Sequence, residues 1–269
     1  MVGDDGCAAV SASSTSSPDR PLAGQWAVVT GGSKGIGQGI SHRLLQGGAH
    51  VVMVARGKES LDEAVVQANA AAPEQQVLGV VADVSSRDSL AELFDDLDHL
   101  IPRLDLFVAN AGTGQVTPFL ELTVEEVDEV VALNLTGTLF SVQRAARAMV
   151  DNPGDNNSIV VVSSIRALRA GPGRLIYSAT KAAVNQAVRV AALELAPHGI
   201  RVNTLSPGIT ETPLTARNPG AFAEAVANVP VGRAGLPSDL AEGAYFLCSP
   251  ASRFITGTNL VVDGGESLG

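Results

Sequence analysis

From Leu22 onward, short β-branched runs alternate with longer segments whose apolar residues recur at helical spacing. That alternation restricts the chain to a parallel sheet with helices on both faces. The predicted strands are 26–30 (WAVVT), 51–55 (VVMVA), 77–82 (VLGVVA), 104–109 (LDLFVA), 158–163 (SIVVVS), 201–205 (RVNTL) and 259–262 (NLVV). Their near-continuous apolar character suits strands covered on both sides. Helical periodicity predicts helices over 36–46, 59–71, 87–100, 124–150, 176–196 and 238–248. Thr123, followed by Glu125 and Glu126, reads as an N-cap with an acidic first turn, and Gly199 follows the helix that ends near His198. Residues 22–269 are expected to form one domain, with 1–21 a flexible Ser/Thr-rich tail. The crowding of Pro, Asn, Gly and Ala over about 209–230 reads as a mobile flap over a site.

The first strand runs directly into Gly31-Gly32-Ser33-Lys34-Gly35-Ile36-Gly37, after which an amphipathic helix begins. Glycines there let the backbone approach a pyrophosphate, and the free N–H groups and dipole of the new helix attract its charge. The spacing is TGxxxGxG, and its position after the first strand sets it apart from an ordinary glycine turn. About twenty residues further on, an NAD-binding chain would present a carboxylate to the ribose hydroxyls. This chain presents Ala55-Arg56 instead. Arg56, Lys34 and the Ser33 hydroxyl supply what a 2′-phosphate requires, which favours NADP(H). The alternative is that Arg56 and Lys34 are solvated surface charges.

In Tyr177-Ser178-Ala179-Thr180-Lys181 the phenol and the ammonium lie one helical turn apart on one face. A neighbouring ammonium stabilises a phenolate and is expected to bring the Tyr177 pKa down toward the working range of a proton donor. The plain alternative is a packed Tyr beside a surface Lys. Ser164 stands at the end of the predicted strand 158–163, where the carboxyl ends of parallel strands gather ligands; its neighbour Ser163 is the residue with which it could be confused.

Together TGGSKGIG, Asp83-Val84, Asn110-Ala111-Gly112, Asn134, Ser164, YSATK and Pro207-Gly208 resemble the short-chain dehydrogenase/reductase family, and the likeness runs from about Leu22 to Gly265. The resemblance implies a doubly wound, Rossmann-like three-layer α/β sandwich with a seven-stranded parallel sheet. It further implies that Tyr177 is the acid for carbonyl reduction and the base for alcohol oxidation. Lys181 would bind the nicotinamide ribose and tune Tyr177, Ser164 would bind the substrate oxygen, and Asn134 would hold a water in the proton relay. Asp83 and Val84 would meet the adenine, and Asn110, Ala111 and Gly112 would pack beside the adenosine ribose. Thr210 and Thr212, after Pro207 and Gly208, would hold the carboxamide. Read without the resemblance, Asn110 and Asn134 are buried amides bracing element ends and Pro207-Gly208 is a turn.

The expected partner is a small ketone or alcohol. A formal net charge of −10 argues against nucleic acid. Cys7 and Cys248 make no disulfide framework, which fits a cytoplasmic protein, and the four histidines (His42, His50, His99, His198) offer no metal-ligand spacing. No apolar run reaches membrane-helix length. The helices over 124–150 and 176–196 exceed what covering a sheet needs, and in the resembling family such helices build homotetramers or homodimers. Arg166, Arg169 and Arg174, between Ser164 and Tyr177, either recognise an anionic group of the substrate, dock an acidic carrier protein, or face solvent and pair with the acidic surface. Two rival readings stand beside a ketone reductase: a 3-ketoacyl-thioester reductase, and a dinucleotide-binding regulator without turnover.

Overall fold

Seven strands, β1 (Trp26–Thr30), β2 (His50–Ala55), β3 (Val77–Val81), β4 (Leu106–Ala109), β5 (Ser158–Val162), β6 (Arg201–Pro207) and β7 (Asn259–Val262), pair in parallel in the order β3-β2-β1-β4-β5-β6-β7. They belong to a computed structural model that describes residues 20–269; Cys7 and nearly all of the expected tail lie outside the described residues. The helices are α1 (Gly35–Gln46), α2 (Lys58–Ala71), α3 (Arg87–Leu100), α4 (Val124–Val131), α5 (Thr138–Asp151), α6 (Leu175–Leu195), α7 (Pro219–Ala227) and α8 (Pro237–Cys248).

Successive side chains of a strand point to opposite faces, and this parity divides the sheet between two cores. Val28, Val52 and Val54 enter the core closed by α3, α5 and α6, through Leu93, Met149 and Val188 among others. Ala27, Val29, Val51 and Met53 enter the core closed by α1, α2 and α8, through Leu44, Leu61 and Leu240. Three layers follow directly, and so does the unbroken apolar character of the central strands. Phe107 of β4 is fully buried against Phe94 of α3, with ring centroids 6.0 Å apart. Its truncation to alanine would cost about 3–5 kcal/mol.

The region expected to be one helix over 124–150 is α4, a π-helical stretch Ala132–Gly137, and α5. The chain stays helical throughout, but its backbone is pressed against the segment after β3: a Cβ on Gly137 would come within 2.5 Å of the Val84 carbonyl oxygen. Helix α4 starts with a capping box, Thr123 Oγ accepting from Glu126 N while the Glu126 carboxylate accepts from Thr123 N. Such a cap is worth about 1 kcal/mol. Gly199, at φ +72°, ends the helical turn after α6 as its position suggested. The segment expected as a flap is not loop throughout: α7 forms within it, started by the Asn218 side chain and Pro219.

The strand order reverses beside β1, which is flanked by β2 and β4. Chains leaving β1 and β4 therefore part to opposite faces, opening a crevice at the carboxyl ends of the sheet.

Candidate active site

A cavity of about 1000 Å³ occupies that crevice, walled by the segments that leave β1 through β6. The turn from β1 into α1 forms one wall with Gly31, Ser33, Lys34, Gly35 and Ile36. Gly31 takes φ +64° and Gly35 φ +54°, both in the left-handed region that favours glycine. Gly37 does not line the cavity. It lies behind the turn, where a Cβ would stand 2.2 Å from the Gly31 carbonyl oxygen and 2.5 Å from Asn110 Nδ2. Asn110 braces this turn: its Nδ2 donates to the carbonyls of Thr30 (3.0 Å) and Gly31 (3.2 Å), and its backbone N to Thr30 Oγ1. It also lines the cavity with Ala111 and Gly112.

Arg56 is exposed just past β2, its Nη1 3.7 Å from Asp83 Oδ2. Partial burial works to raise the Asp83 pKa, but hydrogen bonds from Ser85 and the Arg56 charge outweigh it and hold the carboxyl below its ordinary range. Asp83 and Val84 line the cavity, as do Ser33 and Lys34.

Ser164, Tyr177 and Lys181 line the same cavity. Ser164 follows β5 and caps a short turn, its Oγ accepting from Arg166 N at 3.1 Å. Ser163 also lines the cavity, and its hydroxyl donates to the Lys181 carbonyl at 3.3 Å. Tyr177 sits in the first turn of α6 and Lys181 one turn on, with Nζ 5.9 Å from the centroid of the Tyr177 ring. Lys181 is 5% exposed and donates to the Val162 carbonyl at 2.9 Å. Burial alone pulls its pKa down to about 8.

Tyr177 departs from expectation in direction. Loss of water around the phenol pushes its pKa up; the neighbouring Ser164 hydroxyl and the charges of Arg174 and Arg166 oppose that rise without overcoming it. The charges that act on the phenol are those of Arg174 and Arg166.

Asn134 does not reach the cavity. It is fully buried in the π-helical stretch, its Oδ1 accepting from Thr113 N and its Nδ2 donating to the Thr113 carbonyl, both at 2.8 Å. The side chain thus fixes the segment after Gly112 to the helix. Beyond β6, Pro207, Gly208, Thr210 and Thr212 line the cavity. The Thr210 hydroxyl donates to the Gly208 carbonyl and that of Thr212 pairs with Thr215 Oγ1, so both shape the turn.

Sequence reasoning missed Glu266. Only 3% exposed, it reaches the cavity from the C-terminal turn; its Oε2 accepts from Ile209 N at 2.7 Å and its Oε1 meets Arg166 Nη2 at 3.3 Å. Its backbone carbonyl accepts from Arg169 Nη1. The one available signal was a carboxylate following Gly264-Gly265 after the last strand. Arg166, Arg169 and Arg174 all line the cavity.

A family model described as enoyl-(acyl carrier protein) reductase matches residues 31–267. The chain belongs to the short-chain dehydrogenase/reductase family. It is similar to a tropinone reductase homologue of Arabidopsis thaliana, with 37% identity over 251 residues covering 92% of each chain. It is also similar to a 3-oxoacyl-[acyl-carrier-protein] reductase of Thermotoga maritima, at 34% identity over 91% of this chain and 98% of that protein. Among solved structures, a short-chain type dehydrogenase/reductase from Mycobacterium marinum matches with a TM-score of 0.87 at 32% identity, covering 92% of this chain and 97% of that one. As a family member the chain is an oxidoreductase of the CH–OH type that uses a nicotinamide dinucleotide and small-molecule substrates. No helix among the described residues is long and apolar enough to cross a membrane.

Proposed function

We propose that the chain interconverts a ketone and a secondary alcohol with NADP(H), Tyr177 carrying the proton. The observation that supports this most strongly is that Ser164, Tyr177 and Lys181 open onto the same cavity as the glycine turn between β1 and α1. The donor chemistry fits the dinucleotide. Lys181 has three N–H donors and gives one to Val162, leaving the others for the nicotinamide ribose hydroxyls. Lys34 at the start of α1, Ser33 and exposed Arg56 would hold a 2′-phosphate. Asp83 and Val84 would meet the adenine, Asn110, Ala111 and Gly112 the adjoining ribose, and the turn bearing Thr210 and Thr212 the carboxamide.

When bound, the nicotinamide supplies the hydride in reduction and takes it in oxidation. The protein supplies the proton and the orientation. Ser164 Oγ accepts from Arg166 N and its hydroxyl neighbours the Tyr177 phenol; turned toward the substrate, that O–H would donate to the carbonyl oxygen. Tyr177 gives its phenolic proton to the same oxygen; Arg174 and Arg166 stabilise the phenolate left behind, and the Lys181 ammonium, 5.9 Å from the ring centroid, would add to that. Asn134 serves the relay by holding the Thr113 segment beside Lys181: a Cβ on Gly112 would lie 3.2 Å from Asn134 Oδ1 and 3.6 Å from Lys181 Nζ. The segment 209–230 is the substrate flap in this reading, since Leu214, Phe222 and Asn228 line the cavity from that side.

The matched family description and the Thermotoga relative favour a second reading, reduction of a carrier-linked thioester. Against it, the arginines that would dock an acidic carrier line the cavity wall. The retained Ser164, Tyr177 and Lys181 set speaks against a silent regulator. We place the protein in the cytoplasm as a homotetramer or homodimer, with Val124, Phe140 and Leu193 on the outer faces of α4, α5 and α6 left exposed for contact between copies. Light scattering tests the assembly. The function is tested by following NADPH and NADH consumption over ketone, alcohol and carrier-thioester panels. Turnover of free ketones with NADPH preferred supports the reading; turnover confined to thioesters supports the second, and cofactor binding without turnover the regulator.

A further inference from the structure

Arg174 lines the cavity. It is the residue before α6, one turn ahead of Tyr177, and it is half-buried. Its guanidinium carries five N–H donors. Its hydrogen bond runs from Nη1 to the Gln115 carbonyl at 3.3 Å. Among the described residues no carboxylate pairs with it, whereas Arg166 has Glu266. Loss of water and the Arg166 charge both press against the Arg174 cation, and the Tyr177 phenol lies within its field. Gly114 and Gly171 pass beside it: a Cβ would lie 3.8 Å from Arg174 Nη1 at Gly114 and 3.6 Å from Arg174 Cγ at Gly171, both ordinary contact distances. Arg166, Arg169 and Arg174 line the cavity with Glu266 as the buried carboxylate among its lining residues, in a protein of formal net charge −10.

Resting on the reductase reading, we infer that Arg174 is a carboxylate-binding residue and that the substrate is a ketone carrying a carboxylate a few bonds from its carbonyl. Arg174, partly withdrawn from water and bonded to one carbonyl only, keeps N–H donors for an anionic ligand. A guanidinium fork fits a carboxylate with two parallel hydrogen bonds. A dianionic phosphate fits less well, because Glu266 stands on the same wall. In the reaction the carbonyl carbon gains the hydride of NADPH and its oxygen the Tyr177 proton; the oxo acid becomes a hydroxy acid and NADPH becomes NADP+. The carboxylate stays bound to Arg174 and takes no part in bond making.

The test compares benzoylformate, acetoacetate and levulinate with their methyl esters, which keep each carbonyl and remove the charge. Wild type, Arg174→Leu and Arg174→Lys are assayed with NADPH, and NADPH binding and circular dichroism report the fold of each variant. Because Arg174 also faces Tyr177, Arg174→Leu can slow both members of a pair, so the readout is the acid-to-ester ratio of kcat/KM. For the best pair, wild type favours the acid; the ratio falls by about 10- to 100-fold in Arg174→Leu, chiefly through KM, and partly recovers in Arg174→Lys. No acid preference in wild type, or equal losses for acid and ester, overturns the inference. If no ketone is reduced at all, calorimetry with phenylacetate separates the two claims. Binding that Arg174→Leu abolishes keeps the subsite while the reductase reading falls, and no binding overturns both.

Discussion

The Lys181 ammonium lies 5.9 Å from the Tyr177 ring centroid, and the same nitrogen hydrogen-bonds the Val162 carbonyl at 2.9 Å. A cation is thereby kept beside the phenol at the expense of its own hydration, which lowers the Lys181 pKa to about 8. In the window between about 8 and the ordinary 10.5, the unfolded chain binds the proton that the folded one has lost. Stability therefore rises with pH across that window, and the penalty is present in full below it. Relative to Lys181→Met, the wild type should gain ~3 kcal/mol between neutral pH and the top of the window. Urea unfolding of both proteins at fixed concentration measures the gap; a gap that does not change with pH would contradict the burial argument.

Arg56 and Asp83 form an exposed pair at 3.7 Å, an interaction worth no more than about 1 kcal/mol, so the guanidinium is available to a phosphate. Arg56→Ala should reduce kcat/KM for NADPH by about 10- to 100-fold and leave NADH nearly unaffected, with Lys34→Ala acting in the same direction. Parallel losses for both cofactors would remove Arg56 from the phosphate site.

The cradle itself is tested behind the glycine turn. A methyl at Gly37 would overlap the Gly31 carbonyl at 2.2 Å and Asn110 Nδ2 at 2.5 Å, neither of which can move without shifting the turn. Gly37→Ala should lower stability by about 1–3 kcal/mol and weaken dinucleotide binding in calorimetry. Gly220→Ala is the control, since a Cβ there meets only Asn218 Oδ1 at 3.9 Å. Equal behaviour of the two variants would mean that the turn is not held as described.

The sheet was legible in the sequence because strands buried on both faces, such as Val51 to Val54 of β2, have no polar position to blur them. The cofactor wall was legible because the turn after β1 and the start of α1 are contiguous in the chain. Long-range relations were not: Arg166 and Glu266 meet across 100 residues, and no local pattern announces that pair. The π-helical stretch around Asn134 keeps an apolar stripe close to that of an α-helix, so periodicity could not separate it from its neighbours. Helix α7 was hidden by the Pro, Gly and Ala that surround its Asn218 cap. The spacing of Tyr177 and Lys181 gave their neighbourhood correctly, but the direction of the Tyr177 shift depends on how much water the fold removes from the phenol.

The central claim is that the Tyr177 phenol delivers the proton to the substrate oxygen. Tyr177→Phe keeps the ring and its packing and removes only the hydroxyl. NADPH affinity should stay at the parent value while kcat/KM for ketone reduction falls by about 100-fold or more. A variant that binds NADPH normally and reduces the same ketone at the parent rate would contradict the account.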